Sequence, residues 1–361
     1  MKSVLRLQDI KEIDWPLLVL MLCIVGIGLA ALYSASFGRL PELPLRQCIW
    51  VLTGIFLFML SHKIGYRRYI NAAYFLYALG ILLLLIVLVT GSRKFGAQRW
   101  LYVGPLSFQP SELMKLCYLL ALARVFSHFE PRELTALDIG FVVCLTLLPM
   151  ALILVEPDLG TSLIFLPLFL GIFYVWGVNL RFLSGCALLG LAAAPVMWFN
   201  LKEYQRSRLL AFFDPNADPL GAGYTMIQSK IAIGSGGLFG KGWLSGTQNI
   251  LNFLPERHSD FIFSVIGEEF GFLGSLVTMT LFFLLTSRIL VTTLAKRDRE
   301  ARMVGAGVFL LFLVQSFINL GMSMGIMPVV GLPLPLMSYG GSHLLVNMVC
   351  LGLVSSFRKT V

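Results

Sequence analysis

Three groups of ionisable residues lie at the edges of long apolar stretches, where chemistry on a membrane-bound substrate could take place. They contain Glu112 and Lys115, then Asp158, and then Asp260. A carboxylate can remove a proton from a hydroxyl group, and a basic side chain can stabilise a negatively charged leaving group. Ionisable side chains inside a membrane cost about 2.5 to 3.5 kcal/mol each, so they need partners or a water-filled cavity. We therefore predict that these groups form the functional site.

Glu112 and Lys115 stand three residues apart at the start of an apolar segment, directly after Gln109-Pro110-Ser111. This spacing lets the two side chains pair on one face of a helix. Such a pair could simply neutralise itself near the membrane interface. The functional alternative is a fixed charge pair that lines an outward-facing cavity, which makes both residues candidates for a catalytic role.

The short turn Glu156-Pro157-Asp158 carries two carboxylates, which repel each other unless a cation lies between them. Asp158 could cap the helix that follows it, a common position for aspartate. The other interpretation is that a basic side chain or a divalent cation, Mg²⁺ or Mn²⁺, is the partner. Asp158 is therefore a candidate substrate-binding residue and a candidate metal ligand.

The third group is the stretch LPERHSDFIF, residues 254–263, where a long polar loop gives way to an apolar segment. We expect Asp260 in the first turn of a helix, where the helix dipole would depress its pKa and keep it ionised. A cap alone would not require Asp260, because Ser259 could provide it. Deeper in the same helix, Glu268 and Glu269 point about 100 degrees apart and cannot share one face.

These residues require membrane-spanning helices to position them. The chain has 361 residues, of which 57% are hydrophobic and 13% charged, and its mean hydropathy is +0.83. This composition excludes an ordinary soluble domain, and apolar runs of about 18 residues or more can cross a bilayer as helices. We predict an all-α polytopic membrane protein in which residues 1–361 form one transmembrane domain of about ten helices. The predicted spans are 15–35, 48–61, 70–90, 112–127, 137–155, 159–178, 182–199, 260–289, 302–323 and 333–356.

Two segments are too polar to lie in the membrane, namely residues 91–111 and 200–259. The second is a large loop between the seventh and eighth predicted helices, and loops of this length are usually functional or disordered. Its interleaved aromatic residues indicate an ordered structure. It supplies four further candidate substrate-binding residues: Arg206, Arg208, Lys230 and Gln248.

The distribution of basic residues predicts the orientation. More than half of the 28 Lys and Arg residues fall in segments on one side of the predicted bundle, the side that contains both termini. The positive-inside rule places that side in the cytoplasm, so both polar segments face outward from the membrane. The net charge of +9 then reflects topology, and we expect no nucleic-acid partner.

Two other patterns do not predict a site. The glycine-rich stretch 234–242 lacks the spacing of a phosphate-binding loop or a dinucleotide fingerprint, so we expect it to form tight turns. The six cysteines are scattered singly through apolar segments, without paired spacing for a disulfide framework or a structural metal. They are typical core residues.

Several stretches together resemble the SEDS (shape, elongation, division and sporulation) family along essentially the whole chain. They are GAQRWLYVGPLSFQPSELMK (96–115), EPDLGTS (156–162), YQRSRLLAFFDPNADPLGAGYTMIQSKIAIGSGGLFGKGWLSGTQN (204–249), LPERHSDFIFSVIGEEFG (254–271) and GLPLPLMSYGGS (331–342). An arginine at the position of Arg257 resembles the pattern of the RodA-like elongation branch, whereas division relatives more often carry Ala at that position. Ser259 departs from the usual Thr but keeps the hydroxyl group.

The resemblance implies a ten-helix enzyme that polymerises lipid II, the undecaprenyl-pyrophosphate-linked disaccharide peptide, on the outer face of the membrane. It also implies a class B penicillin-binding protein as the transpeptidase partner, together with other proteins of the elongation complex. The family's essential Asp matches Asp260. The positions of Trp100, Glu112, Lys115 and Asp158 are also important in the family.

The reaction implied by the resemblance fits these residue types. Asp260 would act as general base on the acceptor hydroxyl, with inversion at the donor sugar. Lys115, Arg206, Arg208 or a divalent cation could hold the pyrophosphate. Two alternatives remain: a lipid II flippase or transporter, in which the buried charges act in gating or coupling, and a scaffold whose outer loops bind a partner.

Overall fold

The computed structural model describes residues 11–94, 97–103, 106–128 and 135–358, and these form a helical bundle with one small sheet. The helices are α1 (Trp15–Ser36), α2 (Glu42–Ile64), α3 (Tyr66–Asn71), α4 (Ala73–Thr90), α5 (Pro110–His128), α6 (Ala136–Val155), α7 (Leu159–Trp176), α8 (Leu180–Asn200), α9 (Glu203–Phe213), α10 (Tyr224–Ser235), α11 (Thr247–Ile250), α12 (Ile262–Leu294), α13 (Arg299–Met324) and α14 (Gly341–Ser355). The strands are β1 (Ser92–Lys94), β2 (Ala97–Val103) and β3 (Leu106–Phe108).

The predicted helical membrane fold is confirmed, since each of the ten predicted spans overlaps a helix. Within the described ranges, seven helices are long and apolar enough to cross a membrane: α1, α2, α4, α6, α7, α12 and α13. Helix α5 carries three charged residues, Glu112, Lys115 and Arg124, which lower its hydropathy. Helix α14 has only 15 residues.

The last predicted span, 333–356, begins too early. Residues 333–340 form turns and extended backbone, and α14 starts at Gly341. The stretch contains Pro333 and Pro335, which lack the N–H group that a helix interior needs. This non-helical segment lies at the functional site described below.

The small sheet was not predicted. Strands β1, β2 and β3 pair antiparallel in that order, with Leu101 opposite Phe108 and Tyr102 opposite Ser107. They occupy the polar segment between α4 and α5, and their aromatic and β-branched residues suit a short sheet. Strands this short do not produce the long apolar signal by which the helices were recognised.

Helix α12 is interrupted at Gly271, which has φ 65° and ψ −156°. The break frees backbone groups, and the glycine-rich segment after α10 pairs with them. Lys241 N–H donates to the Glu268 carbonyl at 3.0 Å, and Phe272 N–H donates to the Gly237 carbonyl at 2.8 Å. A Cβ atom on Gly240 would lie 2.1 Å from the Glu269 carbonyl oxygen, so only glycine permits this approach.

Two acidic side chains next to this break bind the long loop through different partners. Glu268 accepts hydrogen bonds from Lys241 Nζ at 2.7 Å and from the Gln248 N–H at 2.9 Å. Glu269 accepts hydrogen bonds from Ser34 and Asn249. The prediction that the two glutamates face different directions is confirmed, and both anchor the loop.

Candidate functional site

Asp260 lies in the turn before α12, on the side of the bundle that carries the long loop. Its N–H donates to the Glu256 carbonyl at 3.0 Å. The side-chain amide of Asn319 donates to the carbonyl oxygens of Asp260 and Leu332, at 2.8 Å and 2.7 Å. Asn319 on α13 therefore ties the Asp260 turn to the segment that precedes α14.

Two predictions about Asp260 are wrong. It lies two residues before α12 begins, so it is not in the first helical turn. Its pKa is not depressed either: burial, followed by the negative charge of Glu256, raises the pKa of Asp260 to about 6. Arg208 and Arg99 lower it only in part. A carboxylate with a pKa near neutrality is suited to accept a proton.

Asp260 and Arg208 both face Gly331. A Cβ atom placed on Gly331 would be 3.4 Å from Asp260 Oδ2 and 3.8 Å from Arg208 Nη1. Arg208 comes from α9, and its guanidinium carbon is 5.9 Å from the ring centroid of Tyr204. The missing side chain at Gly331 therefore leaves space between a candidate base and a positive charge.

A narrow cleft adjoins Arg208 and opens to solvent, with a volume of about 20 Å³. Two of its side chains are held by the same backbone oxygen. Arg99 Nη2 and Tyr204 Oη donate to the Pro157 carbonyl, at 2.7 Å and 2.9 Å. The sheet, the α6–α7 turn and α9 thus converge here, and the cleft presents the guanidinium groups of Arg99 and Arg208 together.

Asp158 is the N-cap of α7 and is buried. Its Oδ1 accepts the Thr161 N–H at 3.1 Å, and its Oδ2 accepts the Thr161 hydroxyl at 3.0 Å. The Gln109 amide donates to Oδ2 at 3.3 Å, and Arg99 Nη1 lies 3.7 Å from the same atom. The predicted cap is therefore present, and the predicted cationic partner is the basic side chain of Arg99.

The geometry does not fit a metal at Asp158, because both of its carboxylate oxygens are engaged and a guanidinium lies beside them. Within the described ranges, no group of three or more His, Cys, Asp or Glu residues could hold a metal ion.

Glu156 is fully buried, and neither of its carboxylate oxygens has a hydrogen-bond partner in the described chain. Burial, and then the neighbouring Asp158 charge, raise the pKa of Glu156 to about 8. The repulsion predicted between the two carboxylates is relieved in two ways, since Glu156 is protonated at neutral pH and Asp158 is compensated by Arg99.

The predicted pair of Glu112 and Lys115 is confirmed, with Lys115 Nζ 2.8 Å from Glu112 Oε1. The second oxygen of Glu112 is 2.7 Å from His343 Nδ1 on α14, and Asn347 contacts the other His343 nitrogen at 3.0 Å. The prediction that the pair lines an outward cavity is wrong, because Glu112 is 2% exposed and Lys115 1%. The network joins α5 to α14 beneath the site.

Three of the predicted substrate-binding residues have other contacts. Arg206 donates to the carbonyl oxygens of Trp198 and Phe199, at 2.9 Å and 2.6 Å, and so closes the end of α8. Lys230 lies against Gly325 at the end of α13. Gln248 is bound to Glu268 through its backbone. None of the hydrogen bonds or ion pairs in the described chain links these three residues to Asp260.

Trp100 is partly exposed in β2, next to Arg99. Neighbouring residues of a strand face opposite sides, so the two side chains point apart. Arg99, Asn319 and His343 were not predicted as site residues from the sequence. Their roles depend on partners far away in the chain, and no local pattern indicates such partners.

Comparisons with known proteins identify the family to which the chain belongs. A family model for FtsW, RodA and SpoVE, described as cell cycle protein, matches residues 15–361. The chain is 40% identical over 351 residues to the peptidoglycan glycosyltransferase MrdB of Escherichia coli K12, covering 97% of this chain and 94% of that one. It is 32% identical to the peptidoglycan glycosyltransferase RodA of Treponema pallidum, covering 98% and 99%.

Two solved structures are similar over nearly their whole length. One is a chain from a peptidoglycan synthase complex that coordinates polymerization and crosslinking, with a TM-score of 0.82, 39% identity, and coverage of 96% and 97%. The other is the rod shape determining protein RodA of Thermus thermophilus, with a TM-score of 0.73, 35% identity, and coverage of 96% of each chain.

Proposed function

Since the chain belongs to the FtsW, RodA and SpoVE family, we infer that it is a peptidoglycan glycosyltransferase in which Asp260 is the general base. The single observation that carries this assignment is the placement of the Asp260 carboxylate and the Arg208 guanidinium on the same face of Gly331, beside an open cleft. A base and a cation side by side suit the transfer of a sugar from an anionic leaving group.

The substrate is lipid II, whose sugar is bonded through its anomeric carbon to a lipid pyrophosphate. Asp260 accepts the proton of the acceptor sugar's hydroxyl group while that oxygen attacks the anomeric carbon. The bond between this carbon and the pyrophosphate oxygen breaks, and the configuration at the carbon inverts. With a pKa of about 6, Asp260 is mostly ionised at pH 7 and yet basic enough to take the proton.

The leaving pyrophosphate needs positive charge more than it needs a proton. Arg208 and Arg99 face the cleft and supply that charge, and a guanidinium can bind phosphate oxygens through two parallel hydrogen bonds. Arg99 is already oriented by the Pro157 carbonyl, so little side-chain entropy is lost when the substrate binds. These two arginines replace Arg206 and Lys115 as our proposed pyrophosphate ligands.

Glu112 and Lys115 are proposed as positioning residues, because their buried network with His343 fixes α5 against α14. The N-terminal end of α5 carries Gln109, which contacts Asp158. The network therefore acts on the cleft through the α7 cap. Any Mg²⁺ or Mn²⁺ requirement would have to be met outside Asp158, and no step above depends on a metal.

We place the protein in the bacterial inner membrane with both termini in the cytoplasm. At the end of the bundle away from Asp260, Arg288 Nη2 lies 2.8 Å from Asp14, and Arg124 lies 3.1 Å from Glu300. This basic end is the expected cytoplasmic side. The partner is proposed to be a class B penicillin-binding protein within the elongation complex, supported by the similarity to a chain of a peptidoglycan synthase complex.

The test is polymerisation of purified lipid II in detergent by the chain in complex with its transpeptidase, with moenomycin present to silence other polymerases. Wild type is expected to produce glycan polymer, and Asp260→Asn, which preserves shape but not basicity, to produce none. Polymer from Asp260→Asn would refute the role of Asp260. No polymer from a well-folded wild-type complex would instead favour the flippase, which has no detectable action without two separate leaflets.

A further inference from the structure

A second cavity lies on the same side of the bundle as Asp260, between the end of α1 and the long loop. It has a volume of about 210 Å³. Its lining includes Ser34, Phe37, Arg39, Asn249 and Arg257. We call it the arginine pocket. It shares no lining residue with the cleft beside Asp260, and the mechanism above does not use it.

The arginine pocket contains two positive side chains and no acidic residue in its lining. Arg257 is held in place because its Nε donates to the Ala35 carbonyl at 2.8 Å and its Nη1 to Asn252. Arg39 makes no ion pair among the described residues. Burial and then the Arg39 charge lower the pKa of Arg257, so the two guanidinium groups repel each other. An anion between them would relieve that repulsion.

One of the lining residues, Asn249, carries a buried polar atom that lacks a hydrogen-bond partner in the described chain. Asn249 is 5% exposed, and its Nδ2 donates to the Ser34 carbonyl at 2.9 Å. This contact fixes the orientation of the amide, because a carbonyl oxygen can only accept. Asn249 Oδ1 is buried without a hydrogen bond in the described chain. It can accept a hydrogen bond from an N–H or O–H group of a ligand. Glu269 lies behind Asn249 and Ser34, outside the lining.

An aromatic surface borders the pocket. The rings of Tyr33 and Trp243 lie 5.7 Å apart, those of Tyr33 and Phe37 lie 5.8 Å apart, and all three are exposed. Trp243 is fixed by a hydrogen bond from its indole N–H to the Ala30 carbonyl, at 3.2 Å. The C–H face of a sugar ring can pack against such an apolar ring surface. The polar groups of Tyr and Trp remain available for hydrogen bonds.

These three features select a ligand with an anionic group, an N–H or O–H donor, and a flat sugar face. A glycan unit that carries an acidic peptide has all three. We propose that the arginine pocket is a second substrate subsite, which binds the acidic peptide of a sugar in the glycan strand already made. This inference rests on the proposed function. The subsite would keep the enzyme bound to its product between turnovers. Arg257 of the arginine pocket lies 3 residues before the catalytic Asp260 in the sequence.

The test uses the full chain in complex with its transpeptidase, with Asp260→Asn in every sample to prevent turnover. The probe is a soluble disaccharide-peptide with free carboxylates, and a second probe has the same structure with its carboxylates amidated. Arg39→Gln removes one pocket charge, and Arg39→Lys retains it. The matched control is Arg46→Gln, which removes an exposed arginine whose partner is Glu42, outside the pocket.

We expect the Kd of the acidic probe to rise about tenfold or more in Arg39→Gln, to rise less in Arg39→Lys, and to stay unchanged in Arg46→Gln. The amidated probe should bind weakly to the protein that retains Arg39. Its Kd there should be similar to the Kd of the acidic probe for Arg39→Gln. In proteins with an intact Asp260, Arg39→Gln should give shorter strands than Arg46→Gln, because the product is released sooner. An equal Kd for Arg39→Gln and Arg46→Gln would overturn the proposal.

Two other occupants are distinguished by the same samples. If phosphatidylglycerol in nanodiscs displaces the acidic probe, whereas zwitterionic lipid does not, the pocket is a lipid-headgroup site and the proposal is wrong. It is also wrong if Arg39→Gln loses the transpeptidase while probe binding is intact. Lipid II polymerisation by wild type is measured alongside: its absence refutes the proposed function, whereas polymer formation with an unaffected Kd refutes only the subsite.

Discussion

Replacing Glu256 and Arg208 one at a time by glutamine should move the pKa of Asp260 in opposite directions. The Glu256 charge raises that pKa and the Arg208 charge lowers it, with burial as the largest cause of the value of about 6. Glu256→Gln therefore makes Asp260 a weaker base that ionises at lower pH. Arg208→Gln makes it ionise at higher pH.

The size of each effect follows from the charge separation. Asp260 Oδ2 and Arg208 Nη1 lie 3.4 Å and 3.8 Å from one point beside Gly331, so the two charged groups are at most about 7 Å apart. Two unit charges at about that separation in a partly solvated site interact by about 1 kcal/mol. Since one pH unit corresponds to about 1.4 kcal/mol, each substitution should move the acid limb of the rate profile by roughly half a pH unit to one pH unit.

The assay is the pH dependence of kcat/KM for lipid II polymerisation, which reports the ionisation of the free enzyme. The wild-type rate should rise with pH to a plateau and fall about tenfold at one pH unit below the pKa of Asp260. His258→Gln is the control, because His258 lies 3.8 Å from Glu256 and could titrate nearby. The assignment of Asp260 as base would be refuted if the acid limb of the pH–rate profile moved in the same direction in Glu256→Gln and Arg208→Gln. It would also be refuted if the wild-type profile had no acid limb.

Three further predictions concern stability, measured as the thermal unfolding midpoint in detergent. Gly236→Ala should destabilise by roughly 2 to 4 kcal/mol, because its Cβ would lie 2.0 Å from the Gly267 carbonyl oxygen, whereas Gly234→Ala, with nothing within 4 Å, should be neutral or slightly stabilising. Glu112→Gln should cost about 3 to 5 kcal/mol by leaving the Lys115 charge buried and unpaired, and adding Lys115→Met should recover part of that loss. Glu156→Gln should stabilise the protein more at pH 8 than at pH 5. The pKa of Glu156 is raised to about 8 in the folded protein, so the free energy of unfolding of the wild type falls as the pH rises from the unfolded-state pKa through the folded-state pKa. Glutamine does not ionise and therefore avoids this loss.

Each of these predictions has an outcome that contradicts it. Equal midpoints for the two alanine variants would show that the glycine-rich segment does not pack closely on the α12 break. A double variant less stable than Glu112→Gln alone would mean that Lys115 has another partner. A pH-independent effect at Glu156 would show that its carboxyl is not protonated in the folded protein.

The amino-acid sequence by itself determined the membrane helices. A hydrophobic run long enough to cross a bilayer forms a helix for a local reason, since its backbone groups must hydrogen-bond within the segment. The pair of Glu112 and Lys115 and the cap at Asp158 are likewise local, with partners three residues apart. Asp260 could be identified as a candidate from its residue type, from its position where a polar loop meets an apolar segment, and from the resemblance of that stretch to a known family.

Only the tertiary structure decided what those residues can do. The pKa of Asp260 depends first on its burial and on the Glu256 charge, and then on charges supplied by α9 and by the sheet. Arg99 and His343 acquire their roles from segments far away in the chain. The break at Gly271 is stable because the glycine-rich segment pairs with the backbone groups that it frees. Electrostatic and packing energies depend on distances through space, and separation along the chain does not specify those distances.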